Sequence, residues 1–122
     1  MKTKMLGAAI LVLGIVIGRA WAAQDVQKKG YIIAQVDVTN PTQYGEYAKL
    51  SPGIIAKFGG QFLARAGRTV TLEGTPARSR VVIIEYPSFE RAQAFFSSPE
   101  YQQAKKLREG AANAQFIAVE GQ

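Results

Sequence analysis

Val81-Val82-Ile83-Ile84 constrains this chain more than any other stretch of its sequence. Four consecutive branched apolar residues, inside a run from Arg80 to Tyr86, make a strand whose two faces both avoid water. A single sheet backed by helices on one side would leave half of that run bare. The domain is short, so the expected cover for the second face is another copy of the chain, which makes a homodimer the first expectation.

The chain begins with a segment that does not belong to the fold. Lys2 and Lys4 precede an apolar run from Met5 to Ile17, and Ala20-Trp21-Ala22 supplies a small-x-small cleavage site with the cut before Ala23. That order is a secretory signal peptide. The rival, an uncleaved anchor, needs about 20 predominantly apolar residues, and Arg19 ends the run short of that. The expected division is a signal at residues 1–22, a polar lead-in at 23–29 and one domain at 30–122, periplasmic or secreted and without stable membrane insertion.

Removing Lys2, Lys4 and Arg19 lowers the formal charge from +6 to +3. The remaining basic residues are scattered, and no run of them interleaves with aromatics as a nucleic-acid groove requires, so no nucleic-acid partner is expected. The absence of Cys leaves no disulfide staple, and stability must come from packing. The absence of His and Cys also removes thiol chemistry, His-based triads and the usual zinc and haem ligands. There is no spaced carboxylate cluster for calcium and no phosphate loop around Gly59-Gly60. Neither a metal nor a cofactor is expected.

The order of elements is readable. Gly30 to Val38 is a strand with Ile32, Ala34, Val36 and Val38 on one face. Asn40-Pro41 opens a helix carrying Tyr44, Tyr47 and Ala48. Ser51-Pro52 is expected to break it, with a second piece from Pro52 to Phe58 ending at Gly59-Gly60. Gln61 to Ala66 is a strand, with Phe62 and Ala64 on the face opposite Leu63 and Arg65. Thr69 to Glu73 reads as an extended edge, followed by a Gly74-Thr75-Pro76 turn and the strand from Arg80 to Tyr86. Ser88 caps a helix whose buried stripe is Phe89, Ala92 and Phe96. Ser98-Pro99-Glu100 starts another, to about Arg108, and Ala114 to Val119 is the last strand. The result is an α+β chain of order β-α-β-β-α-β, the ferredoxin-like arrangement.

Several of these residues form an ordered set. Tyr44 and Tyr47, Gly59-Gly60 with Phe62-Leu63-Ala64-Arg65, and Leu72-Glu73-Gly74 are followed by Val82 to Ser88, Ser98-Pro99-Glu100-Tyr101-Gln102 and Arg108. Together, from about Tyr31 to Gly121, they resemble the family known as domain of unknown function 1330. The resemblance implies a dimeric α/β-barrel, two ferredoxin-like sheets packed face to face with helices outside. The wider superfamily includes cofactor-independent monooxygenases, muconolactone isomerase-like enzymes and haem-degrading proteins, but the family itself carries no reaction over. Many relatives look cytoplasmic, so export is a property of this sequence.

Besides Glu100, which sits at a helix start and is explained by capping and the helix dipole, the charged residues of the set are Arg65, Glu73, Glu85 and Arg108. Read functionally, Tyr44, Tyr47, Arg65, Glu85 and Arg108 are the ligand-binding candidates, lining a pocket between sheet and helices. Arginine would hold a carboxylate or enolate, and Glu85, the candidate catalytic residue, would move a proton. Read structurally, the same charges form ion pairs beside the sheet and the tyrosine rings pack on it. Three functions stay open. They are a binder of a small organic molecule, a cofactor-independent isomerase or monooxygenase-like enzyme, and a ligand-free structural or interaction protein.

Overall fold

The computed structural model describes residues 27–122. The proposed signal peptide lies outside them. Gly30–Val38 forms β1, Pro41–Lys57 α1, Gln61–Arg65 β2, Arg80–Tyr86 β3, Phe89–Ser97 α2, Pro99–Lys106 α3 and Ala112–Glu120 β4. The strands make one sheet in the order β2-β3-β1-β4, every neighbouring pair antiparallel.

Local chemistry sets the helix starts. The Asn40 side chain accepts from the Gln43 N–H at 3.1 Å, and Pro41 occupies the first helical position. Ser88 accepts from the Arg91 N–H. Ser98 works twice. Its hydroxyl donates to the Phe95 carbonyl at 2.7 Å and accepts from the Tyr101 N–H at 3.1 Å, closing α2 and opening α3 with one side chain.

Proline 52 does not break α1, which runs through it without interruption. The ring removes one donor, a cost of about 3 kcal/mol in an isolated helix. Here the turns on both sides are docked: Tyr44, Tyr47, Ser51, Ile54 and Ile55 are all buried. Tertiary packing outweighs the lost bond. The helix ends at Gly59, whose φ of 80° suits glycine, and Gly60 lies so close to the Ile55 and Tyr86 side chains that a Cβ would collide with both.

All helices lie on one face of the sheet. Under them sit Ile32, Ala34 and Val36 of β1 and Val82, Ile84 and Tyr86 of β3. The stripe of α2 is Ala92 and Phe95; Phe89 and Phe96 are only half-buried. Phe95 belongs to an aromatic cluster, with ring centroids 4.4 Å from Tyr101, 5.4 Å from Tyr86 and 6.1 Å from Phe58.

The other face is bare in the single subunit. Ile33 of β1 pairs with Ile83 of β3 on one side and Ile117 of β4 on the other. Tyr31, Val81 and Val119 flank this row in the same phase. The double-sided apolar run of β3 therefore resolves into Val82 and Ile84 under the helices and Val81 and Ile83 on the open side.

Thr69 to Glu73 is not a strand. Residues 66–79 form a long connection, and no residue from Leu63 to Ala77 is buried. Its return end is clasped by β1. Asp37 accepts from the Ser79 N–H at 2.9 Å, the Ser79 hydroxyl at 3.1 Å and the Arg78 guanidinium at 3.2 Å. Those contacts, led by the Ser79 N–H, hold the Asp37 carboxyl below its usual range. A lowered folded pKa means that the clasp stabilises above the ordinary carboxylate pKa and is lost as pH falls through the folded one. Comparing melting temperatures of the wild type and Asp37→Asn should show a gap at pH 6 that closes below about pH 4. A gap unchanged down to pH 2.5 would remove the clasp from the stability argument.

Candidate functional site

Between the sheet and α1 lies a cavity of about 30 Å³. Tyr44, Tyr47 and Ser51 of α1 form part of its roof, Val82 and Phe116 part of its floor, and Phe62, Arg65 and Arg80 part of its wall. The enclosed space suits one or two waters or the head of a small molecule, not a whole ligand of ordinary size.

Arg65 reaches this side because of a bulge. Phe62 pairs with Ile84, Ala64 with Ile83 and Arg65 with Val82, so one extra residue is accommodated between Phe62 and Ala64. Strict alternation put Arg65 opposite Phe62. The extra residue instead gives both the phase of the buried Ile84 and Val82, and the Arg65 guanidinium carbon lies 4.4 Å from the Phe62 ring centroid. Register, not composition, brings this charge to the cavity.

Arg80 joins it and escaped the sequence argument. It begins β3 in the same phase as Val82, Ile84 and Tyr86. A charged residue in the inward phase of a buried strand was the available signal. Its guanidinium carbon lies 5.8 Å from the Tyr44 ring centroid, and its Nε is buried with no protein partner. The ion pairs among the described residues are Lys49–Glu46, Lys57–Glu100 and Arg78–Asp37. Neither cavity arginine has a carboxylate against it. Both rest on aromatic faces, which leaves N–H donors available to an acceptor.

Arg108 sits behind this wall. It is 8% exposed, with its guanidinium carbon 5.2 Å from the Tyr47 ring centroid and 5.0 Å from that of Phe116. An N–H donates to the Tyr101 hydroxyl at 3.5 Å, and that hydroxyl is 2.8 Å from the Tyr47 hydroxyl. Burial opposes the Arg108 charge, but the Tyr101 hydrogen bond and the neighbouring Tyr47 oxygen outweigh it, and the pKa is raised. Burial, then Tyr101, pushes the Tyr47 phenol well above its usual range. Tyr47 is therefore protonated at neutral pH and acts as a hydrogen-bonding group rather than a base.

Glu85 does not join this group. It pairs with Tyr31 in the phase of the bare sheet face, and its carboxylate accepts from the Tyr31 hydroxyl at 3.3 Å. Burial first, and then Glu85, raises the Tyr31 pKa. Proton transfer by Glu85 inside the sheet–helix cavity is thereby corrected: alternation along β3 sends Glu85 and Ile84 to opposite faces. Glu73 is exposed on the long connection, away from the cavity lining. Of the five candidates, Tyr44, Tyr47 and Arg65 line the cavity, Arg108 backs it and Glu85 lies elsewhere.

A four-stranded antiparallel sheet in this order, with its helices on one face, makes this an α+β protein of the ferredoxin-like fold. Within that class the chain belongs to the family Domain of unknown function (DUF1330), whose model matches residues 29–122. Among solved structures it is similar to a protein of unknown function from Rhodopseudomonas palustris, at 20% identity and a TM-score of 0.61, covering 84% of this chain and 89% of that one. It is similar to SnoaB, a cofactor-independent oxygenase from Streptomyces nogalater, at 11% identity and a TM-score of 0.56, covering 78% and 94%. A dimeric protein of unknown function with a ferredoxin-like fold from Bacteroides fragilis matches at 11% identity and a TM-score of 0.52, covering 75% and 95%. At these identities the likeness is one of fold. No curated protein matches the sequence.

Proposed function

We propose that this protein is an exported homodimer, two sheets packed face to face as a dimeric α/β-barrel, in which each subunit binds a small, partly apolar organic anion. The observation that carries the ligand reading is the pair Arg65 and Arg80, which line an aromatic cavity with no carboxylate against either. The anionic head enters between them, and the apolar body extends outward past the exposed Arg65 side chain. Support for the dimer is the bare row Ile83–Ile33–Ile117 and the dimeric state of the Bacteroides fragilis neighbour. Support for export is the ordered charge, apolar run and small-x-small site before Ala23.

Binding is favoured over turnover by an isomerase or oxygenase because the cavity lining contains no carboxylate or histidine to accept a proton. Benzoate and its neutral amide, benzamide, are the probes that separate charge from shape. Calorimetry should find benzoate the tighter, and Arg65→Ala should weaken it about tenfold or more, the loss of a charge-assisted hydrogen bond. Equal affinity for the two probes, unchanged by Arg65→Ala, would sink the anion site. Native mass spectrometry of envelope-fraction protein tests the remainder. The expected species is a dimer of chains beginning at Ala23, carrying a reproducible small adduct; an unprocessed monomer refutes both export and assembly.

A further inference from the structure

The connection between β2 and β3 is longer than a turn needs and carries exposed apolar side chains. Loops of this length without regular structure are uncommon in small domains and are usually either functional or linker segments. Leu72 is 90% exposed and Val70 77%, the two most exposed large apolar side chains among the described residues. The segment between them and β3 is held in shape. The Thr71 hydroxyl accepts from the Ala77 N–H at 3.1 Å, and Gly74 turns the chain with a φ of 86°.

Its attachment shows which side of the sheet it belongs to. The Gln35 side chain accepts from the Arg78 N–H at 3.1 Å, and Asp37 takes Ser79 and the Arg78 guanidinium. Gln35 and Asp37 alternate with the buried Ala34 and Val36, so they share the phase of Tyr31 and Ile33 on the bare sheet face. The base of the arm is thus fastened to the side of the sheet that carries the Ile83–Ile33–Ile117 row, and its apolar side chains are free to meet whatever covers that side.

We propose that residues 66–79 form an arm that docks on a second copy of this chain, with Val70 and Leu72 as its anchors. The proposal rests on the homodimer reading and adds to it a separate contact. A two-fold interface is self-complementary, so each subunit both extends an arm and receives one. Sheet-to-sheet packing covers the isoleucine row, and the arms cover what lies beyond its edge.

The chain has no cysteine, so Leu72→Cys introduces a sole thiol. Its labelling rate with a soluble thiol reagent is compared with that of Leu50→Cys, a position 52% exposed on α1, away from the bare sheet face. Molecular mass is measured on the same samples. In the free subunit position 72 is the more exposed and would label faster. In the docked dimer the Leu72→Cys thiol should label about tenfold more slowly than the Leu50→Cys thiol, and dilution to monomer should restore its rate. Leu72→Asp should raise the dimer Kd about tenfold with an unchanged circular dichroism spectrum. A dimer in which the Leu72→Cys thiol labels as fast as the control overturns the arm and leaves the dimer standing. A monomer at every concentration overturns both.

Discussion

Ile33→Asp is expected to convert the proposed homodimer into folded monomers. Ile33 is the centre of the bare face, in register with Ile83 on one side and Ile117 on the other. On a face-to-face two-fold, the substitution places a carboxylate from each subunit in the same apolar layer. No basic residue belongs to that row to neutralise it. Leaving a charge buried and unpaired costs about 3–5 kcal/mol, so the dimer Kd should rise by roughly a hundredfold or more. Within the single subunit the same aspartate sits at a half-exposed position on the side away from the helices, so the helix-covered core is untouched. Sedimentation and circular dichroism together give the answer: a monomer with the wild-type spectrum is the expected result. A dimer of unchanged affinity would show that the two sheets do not meet at this row.

Phe95→Ala acts on the opposite side of the sheet and through a different cause. Phe95 is 1% exposed and touches Tyr86, Tyr101 and Phe58 at once. Removing a ring from a packed interior costs the transfer of its atoms plus the cavity left behind, about 3–5 kcal/mol for phenylalanine. In a domain of this size each kcal/mol moves Tm by about 4–8 °C, so Tm should fall by at least about 12 °C. Phe96, half-buried on the next position of the helix, is the internal comparison, and Phe96→Ala should cost clearly less. Equal losses at the two positions would mean that the fuller burial of Phe95 does not set its contribution to stability.

The contrast between Phe95 and Phe96 also marks where reading from sequence ran short. Helical spacing identified an apolar stripe on α2 but chose Phe89, Ala92 and Phe96. The ring that fills the core is the one at Ala92 plus three. One position along a helix turns a side chain by about 100°, and both phenylalanines fit an apolar face of ordinary width. Arg65 is the strand counterpart. A period of two assigns a face correctly only while the ladder is regular, and a single bulged residue between Phe62 and Ala64 reverses everything beyond it. Arg80 was visible as a charge at the start of an apolar strand, but its partnership with Tyr44 spans the chain from β3 to α1. No local pattern carries that pairing.

The amino-acid sequence by itself determined the order of elements, the caps at Asn40, Ser88 and Ser98, the glycine stop after α1 and the double-sided apolar run of β3. Each depends on interactions within a few residues: a side-chain oxygen meeting a nearby N–H, a backbone that only glycine adopts readily, an alternation along one strand. The tertiary structure alone decided that α1 runs through Pro52, that Thr69 to Glu73 is part of an irregular connection instead of a strand, that Arg65 and Arg80 share a cavity and that Glu85 faces the other way. Those outcomes are set by packing energy gathered from distant segments and by strand register. Both are properties of the assembled sheet and helices, and neither is written in any one stretch of the chain.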